Sequence, residues 1–595
     1  NDIHTGKQLW KLSDNGLSNR GASPVYKDGK LWIISSKSFF TIEPQTGKVL
    51  QQKELSANLD VTSTPLITEQ EIIFGTADRG VFALDKSTLF NKWKAETSPS
   101  LVYTAPYSTT PQAGVETSPV ASQGIVYIGA SDGYLYAIDQ TTGIIKDKDY
   151  IGMSADSAIC YEIGKLAPGQ KKNLDIVIYV DNQIKENSKI QKIDTIKEQA
   201  NTISYWKKYY KAHNTIKLPE PKNKLDEKLH QIYKRSIMLF PLLTNEKTGA
   251  MVAAVEVDEK REKSGRYNYC WPRDAVFITQ ALDILKMNKE ADKFYSEFCR
   301  ITQSKNGMWE QRFYTDGRLA PCWGYQVDET ASVVYGVYNH YEYTKNEEFL
   351  KENLHMCELA ITFLKKYVYD VLENTGKYAV SYDIWEENDR GIHMYSLASI
   401  FSAFDTMKKI YKALGKNVSD FENNRLKEEK INKNIKEIDE LMLKVKEYIE
   451  QNLYDENRKS YVRNTEDRRI DISLLGAVYP FNVFSPKEKK VLNTVENINL
   501  TLRTYTGGYQ RYENDGYRNG SPWPISNLWM TLYYLEIGEK KKAKETFDFV
   551  LKTVGKHSFL GEQVDNSTLK PNWVIGLGWS HAMFIIVLEK LSNIK

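Results

Sequence analysis

Two patterns of hydrophobic and polar positions divide the chain. Up to about residue 150, short apolar runs rich in β-branched and aromatic residues alternate with turn-forming residues, as in 30–34, 71–75 and 125–129. Such runs predict strands. From about residue 222 onward, apolar positions recur every three to four residues, which predicts amphipathic helices. The chain therefore combines an all-β region with a larger all-α region.

The predicted strands belong to a repeated unit. Each unit opens with a hydroxyl residue and a proline, at Ser23-Pro24, Thr64-Pro65 and Ser118-Pro119. A second strand follows the first, most clearly at 80–85 and 134–139, and glycine turns close two of the units at 45–48 and 140–143. The spacing between these openings, together with the strands predicted after each of them, is typical of four-stranded propeller blades.

These units resemble the PQQ-like (quinoprotein-type) β-propeller repeat. The third unit matches its signature best, with VYIGASDGYLYAID at 126–139, and residues 5–10 are similar to the tail of an earlier unit. Propellers usually need at least four blades. With three and a fraction present, either the chain is trimmed at its N-terminus or the ring is completed unusually. Some redox enzymes hold a quinone in such a propeller. Since nothing beyond the repeat supports that chemistry, we interpret it as a scaffold or binding module.

The helical region predicts a barrel of paired helices. The predicted helices are 225–239, 275–286, 331–343, 349–368, 394–414, 431–453, 487–495, 524–537, 541–553 and 578–591. Ten or more helices in about 375 residues, with glycine- and aromatic-rich loops between them, suit an (α/α)6 barrel. Periodicity alone does not separate that barrel from a helical solenoid.

Composition excludes several classes of protein. Of 595 residues, 41% are hydrophobic and 26% charged, and the net charge is +3 with the charges well mixed, so nucleic-acid binding is not expected. No apolar run approaches a membrane span. Five widely spaced cysteines predict neither a disulfide framework nor a structural zinc. They leave the cellular compartment open, with a lean to a reducing cytoplasm. The 38 Tyr and 12 Trp suit stacking on sugar rings, although aromatic residues also fill cores.

Three loops place acidic residues among aromatic residues and glycines. They are 265–274, which ends in Arg273 and Asp274, 382–387, where Trp385 precedes Glu386, and 560–565, which contains Glu562. Hydrolysis of a glycosidic bond needs two carboxyl groups, one protonated and one ionised. Like charges close together raise at least one pKa, as a general acid requires. Each loop alone is equally well explained as a helix cap or a surface turn.

Taken in order, the loops resemble glycoside hydrolase family 15, the glucoamylase family. The matching segments are YNYCWPRD at 267–274, DIWEE at 383–387, GYQRYENDGYRNGSPWP at 508–524, and GEQVD at 561–565 with GLGWSHA at 576–582. The resemblance implies an (α/α)6 barrel that releases β-glucose with inversion from non-reducing ends of α-glucans. No cofactor is expected, and no metal is needed, because the two carboxyl groups carry out the proton transfers.

Site residues follow from the resemblance position by position. Glu386 corresponds to the general acid and Glu562 to the general base, while Arg273 and Asp274 correspond to the pair that holds the terminal glucose. Further pocket residues implied in the same way are Arg312, Trp323, Trp385, Glu387, Arg511 and Trp579. Without the family, core tryptophans and solvated arginines would be the default interpretation.

The segment between the two regions has its own pattern. IGKLAPGQ at 163–170, followed by the apolar run 174–180, resembles the end of the β-sandwich that precedes the catalytic domain of bacterial and archaeal glucoamylases. A polar helical linker then reaches about residue 217. We therefore predict propeller repeats over 1–150, a β-sandwich-like segment and linker over 151–200, and the barrel over 201–595.

The substrate expected is an oligosaccharide or polysaccharide, such as starch, glycogen or maltooligosaccharides. We favour α-1,4-glucans, with α-1,6 linkages second. Alternatives are a relative acting on isomaltose, dextran or trehalose, a non-catalytic carbohydrate-binding regulatory protein, and a quinone-dependent dehydrogenase. The presence of both Glu386 and Glu562 argues against the regulatory protein. The missing long ring of repeats argues against the dehydrogenase.

Overall fold

The structure is a computed structural model. It describes residues 8–12, 23–34, 38–55, 61, 63–77, 80–99, 114–115, 117–150, 165–172, 174, 193–255, 266–322, 324–372, 381–388, 390–415 and 424–593. The described residues up to Leu174 form one compact unit, and those from Ile193 onward form a second.

The first unit contains three four-stranded antiparallel sheets, each with its strands in sequence order. The first sheet has β1 (Val25–Lys27), β2 (Lys30–Ile34), β3 (Ser38–Ile42) and β4 (Val49–Glu54). The second has β5 (Leu66–Ile67), β6 (Glu71–Gly75), β7 (Val81–Asp85) and β8 (Asn91–Ala95). The third has β9 (Val120–Ser122), β10 (Ile125–Gly129), β11 (Tyr134–Asp139) and β12 (Ile145–Tyr150). This arrangement confirms the predicted propeller-like blades.

Neighbouring blades pack through apolar faces. Trp32 and Phe39 of the first blade share a core with Phe74 of the second, while Trp93 of the second lies with Ile128 of the third in another. The residues that open the units also form a chain of hydrogen bonds across the blades. The Ser23 amide donates to Thr64 Oγ1 at 2.9 Å, and the Thr64 amide donates to Ser118 Oγ at 3.1 Å.

Two tryptophans dock on glycine turns. Trp10 Nε1 donates to the Pro44 carbonyl at 2.8 Å and its ring covers Gly47. Trp93 makes the equivalent contact, since its Nε1 donates to the Gln140 carbonyl at 2.8 Å and its ring covers Gly143. A Cβ on Gly143 would lie 2.7 Å from the Trp93 ring, so the absence of a side chain permits the contact.

The segment predicted to resemble a β-sandwich lies mostly outside the described residues. The described parts of 151–200 are 165–172, 174 and 193–200, so the predicted strand at 174–180 is not described beyond Leu174. The predicted helical linker is present as α1 (Thr195–His213), which Asp194 caps by accepting from the Lys197 amide at 3.1 Å.

The second unit is helical. Its helices are α2 (Lys224–Leu243), α3 (Pro272–Ile284), α4 (Asn288–Lys293), α5 (Arg300–Thr302), α6 (Val327–Thr344), α7 (Glu347–Leu372), α8 (Met394–Gly415), α9 (Asn424–Asn452), α10 (Lys489–Thr501), α11 (Pro524–Glu536), α12 (Lys540–Lys552) and α13 (Gly578–Asn593). A π-helical stretch, Phe294–Cys299, joins α4 to α5, and 3-10 turns occupy Ile472–Ala477 and Tyr517–Gly520. Two short hairpins pair β13 (Tyr454–Asp455) with β14 (Ser460–Tyr461) and β15 (Gly561–Val564) with β16 (Pro571–Ile575).

The helices form a closed inner ring. Going round it, α3 contacts α6, α6 contacts α8, α8 contacts the 3-10 turn Ile472–Ala477, that turn contacts α11, and α11 contacts α13, which returns to α3. Inner helices are buried on nearly every side, as in α3, where every residue is buried. Outer helices such as α12 bury one face only. In the described residues this ring has six members, five α-helices and one 3-10 turn, in agreement with an (α/α)6 barrel. Because the ring closes on itself, it excludes an open solenoid.

All ten predicted helices are present, although α6 begins at Val327 rather than 331. The helical stretch from Asn288 to Thr302 was missed. Cys270, Cys299, Cys322 and Cys357 are unpaired thiols, and Cys160 lies outside the described residues. Among the described helices, none has the length and apolarity needed to cross a membrane.

Candidate active site

The predicted site residues gather at one end of the barrel, where the inner helices begin. Arg273 and Asp274 lie in the first turn of α3, and Asp328 and Glu329 lie in the first turn of α6. The N-terminal end of a helix carries partial positive charge from unpaired amides, which stabilises acidic groups there. The barrel therefore directs several helix N-termini toward one region that is rich in carboxylates.

Glu386 lies in the loop 381–388, between α7 and α8. Its backbone φ of 63° is in the left-handed region, where a residue with a side chain is strained. Trp271 Nε1 donates to Glu386 Oε1 at 2.5 Å, and the Arg273 guanidinium lies 3.9 Å from the same oxygen. Burial raises the pKa of Glu386 to about 7, although the charges of Arg312 and Arg273 oppose the rise. A carboxyl in this state is suited to donate a proton near neutral pH.

Glu562 lies in β15 and is 3% exposed. The Tyr267 hydroxyl donates to its Oε1 at 2.6 Å, and Gln563 Nε2 donates to its Oε2 at 3.1 Å. Trp573 Nε1 in turn donates to the Tyr267 hydroxyl at 3.2 Å. Burial raises the pKa of Glu562 to about 7, while the hydrogen bonds favour the ionised form. Glu562 is therefore a buried carboxyl whose two oxygens are both held by donors.

One short loop holds both carboxyls. Tyr267 and Trp271, which donate to Glu562 and Glu386 respectively, are four residues apart before α3, and their ring centroids lie 6.2 Å apart. The two glutamates, distant in sequence, are thus each held by a side chain of the same short loop.

Arg273 is surrounded by acids. Its guanidinium lies 3.0 Å from Asp328, 3.3 Å from Glu329 and 3.7 Å from Asp274, and its backbone amide donates to Glu329 Oε2 at 2.6 Å. Burial raises the pKa of Glu329 well above its usual value, and it raises that of Asp274 to about 6. The cluster fixes the Arg273 guanidinium beside Glu386.

A second buried arginine, Arg511, lies beside the ring of Trp385. Its guanidinium bonds to Asp515 at 2.8 Å and to Glu387 at 2.7 Å, and it lies 5.4 Å from the Trp385 ring. Trp385 Nε1 donates to Asp471 at 2.9 Å, which anchors the loop to the 3-10 turn Ile472–Ala477. The structure therefore places Trp385, Glu387 and Arg511 in one contact network next to Glu386.

The other predicted residues are placed as follows. Arg312 stacks over Tyr269 and Trp271, 4.8 and 5.2 Å from their ring centroids, and its charge acts on Glu386. Trp579 is buried against Phe277, with the Arg273 guanidinium 5.7 Å from its ring. Trp323 lies outside the described residues.

Sequence reasoning missed five residues that touch or orient these groups: Tyr267, Trp271, Asp328, Glu329 and Trp573. Tyr267 and Trp271 belong to the segment 267–274, which resembles the family. Neither side chain is charged, so neither was predicted as a site residue. Asp328 and Glu329 precede residue 331, where the sequence pattern predicts this helix to begin, so the pattern does not place them in its first turn. The sequence did contain a signal for these two residues: they are acidic, they come after an aromatic loop, and they directly precede a predicted helix.

A metal centre is not indicated by the described residues, which contain no group of His, Cys, Asp or Glu side chains arranged to hold an ion. The two carboxyls with pKa values near neutrality can by themselves exchange protons with a substrate and a water molecule.

Comparison with known proteins places this geometry in context. The sequence model described as "Glycosyl hydrolases family 15" matches residues 227–558, and the one described as "Outer membrane protein assembly factor BamB" matches residues 1–157. The chain is 29% identical over 478 residues to a protein from Methanocaldococcus jannaschii named "Uncharacterized glycosyl hydrolase MJ1610", covering 76% of this chain and 71% of that one.

More distant relatives carry more specific names. "Trehalase 1" of Sulfolobus acidocaldarius is 21% identical over 425 residues, and the alignment covers 66% of each chain. Among solved structures, one described as "Glycosidase Wild Type" superimposes with a TM-score of 0.52 at 18% identity, over 63% of this chain and 99% of the other. At that identity the superposition supports the fold alone.

Proposed function

This chain belongs to glycosyl hydrolases family 15, and from that membership we propose that it is an inverting, exo-acting glucan hydrolase. It releases β-glucose from the non-reducing ends of α-1,4-glucans, and α-1,6 linkages are its second preference. Glu386 serves as the general acid and Glu562 as the general base. The observation that carries the proposal is geometric: Trp271 and Tyr267, two donors of a single loop, hold the carboxyls of Glu386 and Glu562.

The proposed mechanism needs two proton transfers. Glu386 protonates the oxygen of the scissile bond as the leaving sugar departs. Glu562 takes a proton from the water that attacks the opposite face of the glucose ring, so that the configuration at the anomeric carbon is inverted. Arg273 and Asp274 bind the hydroxyls of the terminal glucose. The remainder of the pocket is lined by Glu387, Arg511, Trp385 and Trp579. Arg312, and Trp323 by resemblance, complete it beside the acid.

Trehalose is the second candidate substrate. Several of the relatives are named trehalase, including "Trehalase 1" of Sulfolobus acidocaldarius and "Trehalase" of Thermoplasma volcanium. Trehalose and α-glucans share a terminal α-glucose, so one pocket for that ring accommodates either. The choice depends on contacts to the sugar beyond the cleaved bond.

A substrate panel tests the proposal. The purified chain is incubated without added cofactor with maltooligosaccharides, isomaltose and trehalose, and proton NMR follows the anomer released first. Release of β-glucose from maltooligosaccharides supports the α-1,4 assignment, whereas release from trehalose alone supports the second candidate. Failure to release glucose from any of them would contradict the enzyme assignment.

The role of Glu562 is tested by Glu562→Gln. The amide keeps the shape of the side chain but does not accept the proton from water, so we expect turnover to fall by about 10²–10⁴-fold. Sugar binding, measured by calorimetry, should be nearly unchanged. The matched control is Glu589→Gln. Glu589 is a partly buried acid near the end of α13 whose pKa is also raised, and its substitution should not change turnover. Loss of folding in Glu562→Gln would instead mark Glu562 as structural.

A further inference from the structure

Two side chains in the first turn of α13 hold the main chain just before Glu562. Ser580 Oγ donates to the Gly561 carbonyl at 2.9 Å, and His581 Nε2 accepts from the Leu560 amide at 3.0 Å. Both contacts are buried, and Ser580 and His581 are each 0% exposed. Glu562 is the next residue in the chain, so these contacts constrain the backbone from which its side chain projects.

The proton positions in this contact are defined by the partners. A backbone amide only donates, so Nε2 of His581 carries no proton and the neutral ring carries its proton on Nδ1. Nδ1 therefore donates to Ser236 Oγ, 2.8 Å away, and the Ser236 hydroxyl donates to the Ile232 carbonyl at 2.8 Å. Burial lowers the pKa of His581 to about 3, which keeps this neutral form. The hydrogen bonds thus continue from β15 through α13 into α2.

The pairing within the hairpin is irregular at Glu562. Gly561 pairs with Ile575 and Gln563 pairs with Asn572, so the register between β15 and β16 shifts at Glu562. A register shift interrupts the ladder and re-aims a side chain, and it also removes the regular pairing that would hold the backbone. The contacts from α13 act on the residues directly before that shift.

We infer that Ser580 and His581, supported by Ser236, are positioning residues that aim the Glu562 carboxylate at the attacking water. They contact no substrate and act only through the backbone of Leu560 and Gly561. The inference rests on the proposed role of Glu562 as general base. Displacing a catalytic group by about 1 Å can lower a rate by about 100-fold, so a small movement of this backbone is sufficient.

Substitutions at His581 separate positioning from packing. In His581→Gln the side-chain oxygen reaches the place of Nε2 and still accepts from the Leu560 amide. In His581→Leu the acceptor is lost. We expect kcat to fall at least about tenfold in His581→Leu, with KM changed less than about twofold, and to recover largely in His581→Gln. Equal activity in the two variants, at equal folded fraction by circular dichroism, would overturn the inference.

Ser580→Ala provides a second test that does not require changing the histidine. It is combined with Glu562→Gln and, separately, with Glu386→Gln. If Ser580 acts through the base, its removal should lower the residual kcat of Glu386→Gln about as much as that of the wild type. Ser580→Ala should change the residual kcat of Glu562→Gln by less than about twofold, because the effects of two substitutions that act on the same step are not additive. Equal effects in both backgrounds would overturn the inference.

The control is Ser399→Ala, which removes another fully buried hydroxyl, bonded to the Ser396 carbonyl within α8. Its kcat should match the wild type. The wild-type chain is assayed first. If it releases no glucose, the proposed function and the base role built on it both fail. If it is active but Ser580→Ala has no effect on kcat, only the positioning role fails.

Discussion

At the scale of single residues, loss of water contact is the largest influence on the two candidate catalytic carboxyls. Burial is the first cause of the rise of the pKa of both Glu386 and Glu562 to about 7. Nearby arginines act in the opposite direction, Arg312 and Arg273 on Glu386, and Arg511 and Arg518 on Glu562. Because burial raises both pKa values in the same direction, the hydrogen-bond partners of each carboxyl distinguish the proposed acid from the proposed base.

The proposed roles predict a narrow, bell-shaped pH dependence of kcat/KM centred near neutral pH. Activity should fall as the pH drops and Glu562 gains a proton, and it should fall as the pH rises and Glu386 loses one. The Arg518 guanidinium lies 3.4 Å from the Trp573 ring centroid, and its charge lowers the pKa of Glu562. We therefore expect Arg518→Gln to move the acidic limb to higher pH and to leave the alkaline limb in place.

The comparison variant for this measurement is Arg300→Gln, since Arg300 pairs with Glu352 on the outer surface at 3.5 Å. Its pH profile should superimpose on that of the wild type. A shift of the alkaline limb alone in Arg518→Gln would reverse the assignment of base and acid.

At the scale of secondary-structure elements, a tryptophan–glycine contact joins the second blade to the third, and Trp10, which precedes the first blade, makes the same contact with that blade. Gly47, Leu89 and Gly143 occupy equivalent turn positions, because each amide donates to the residue four positions earlier. Trp10 covers Gly47 and Trp93 covers Gly143. Leu89, by contrast, has a φ of 61° and fills its place in the core between the first two blades. Glycine at this turn position thus occurs with a tryptophan that covers it, and the unit without the glycine has a leucine that packs into the core.

We expect Gly143→Ala to destabilise the propeller unit more than Gly124→Ala. Both glycines have positive φ, +73° and +76°, so an added Cβ strains either backbone by about 1–2 kcal/mol. Only at Gly143 would the Cβ also displace the Trp93 ring, whereas nothing lies within 4 Å of a Cβ on Gly124. Urea unfolding followed by tryptophan fluorescence measures the difference. Equal unfolding free energies for the two variants would contradict the docking role of the ring.

A buried histidine joins three helices of the barrel. His340 of α6 contacts Asp283 of α3 through Nδ1 at 2.8 Å and Asp292 of α4 through Nε2 at 3.0 Å. These carboxylates raise the pKa of His340 to about 9, against the opposing effect of burial. Burial also raises the pKa of Asp283, the opposite of the usual effect of an ion pair. Because two carboxylates hold the two ring nitrogens of His340, the protonated ring is the favoured form.

The raised pKa of His340 predicts the pH dependence of stability. A folded-state pKa above the unfolded value means that the charged form stabilises the fold, by up to about 3 kcal/mol for this shift. That stabilisation is complete below about pH 6.5 and is lost as the pH rises through about 9. The difference in unfolding free energy between wild type and His340→Gln should therefore shrink with rising pH. A difference that grows with pH would contradict a charged His340.

At the scale of the whole molecule, the described residues divide into two compact units with separate hydrophobic cores. Every candidate catalytic contact reported above lies within the second unit. We therefore expect a fragment that begins at Ile193 to hydrolyse small substrates with a kcat/KM within about twofold of the full chain. Steady-state kinetics on both proteins checks this. A much lower value would show that the propeller unit contributes to the site, and we would then abandon its interpretation as a scaffold or binding module.

Much of the architecture could be predicted because it depends on local order. The strands at 30–34, 71–75 and 125–129 and the ten helices follow from periodicity, which reflects which face of each element is buried. Asp328 and Glu329 could not be assigned, because their role depends on contact with Arg273, more than 50 residues earlier. The contact of Tyr267 with Glu562 spans 295 residues, and no local pattern encodes such a pairing.

The sequence by itself therefore determined the type of each element, the repeat of the blades, and the loops that carry Glu386 and Glu562. Periodicity left the solenoid open, and the tertiary structure shows the closed ring that the family resemblance implied. Only the tertiary structure decided that one aromatic loop holds both carboxyls. It also decided that burial raises both pKa values toward neutrality. The reason is physical: periodicity is a property of neighbours along the chain, whereas desolvation and hydrogen-bond geometry depend on residues that only folding brings together.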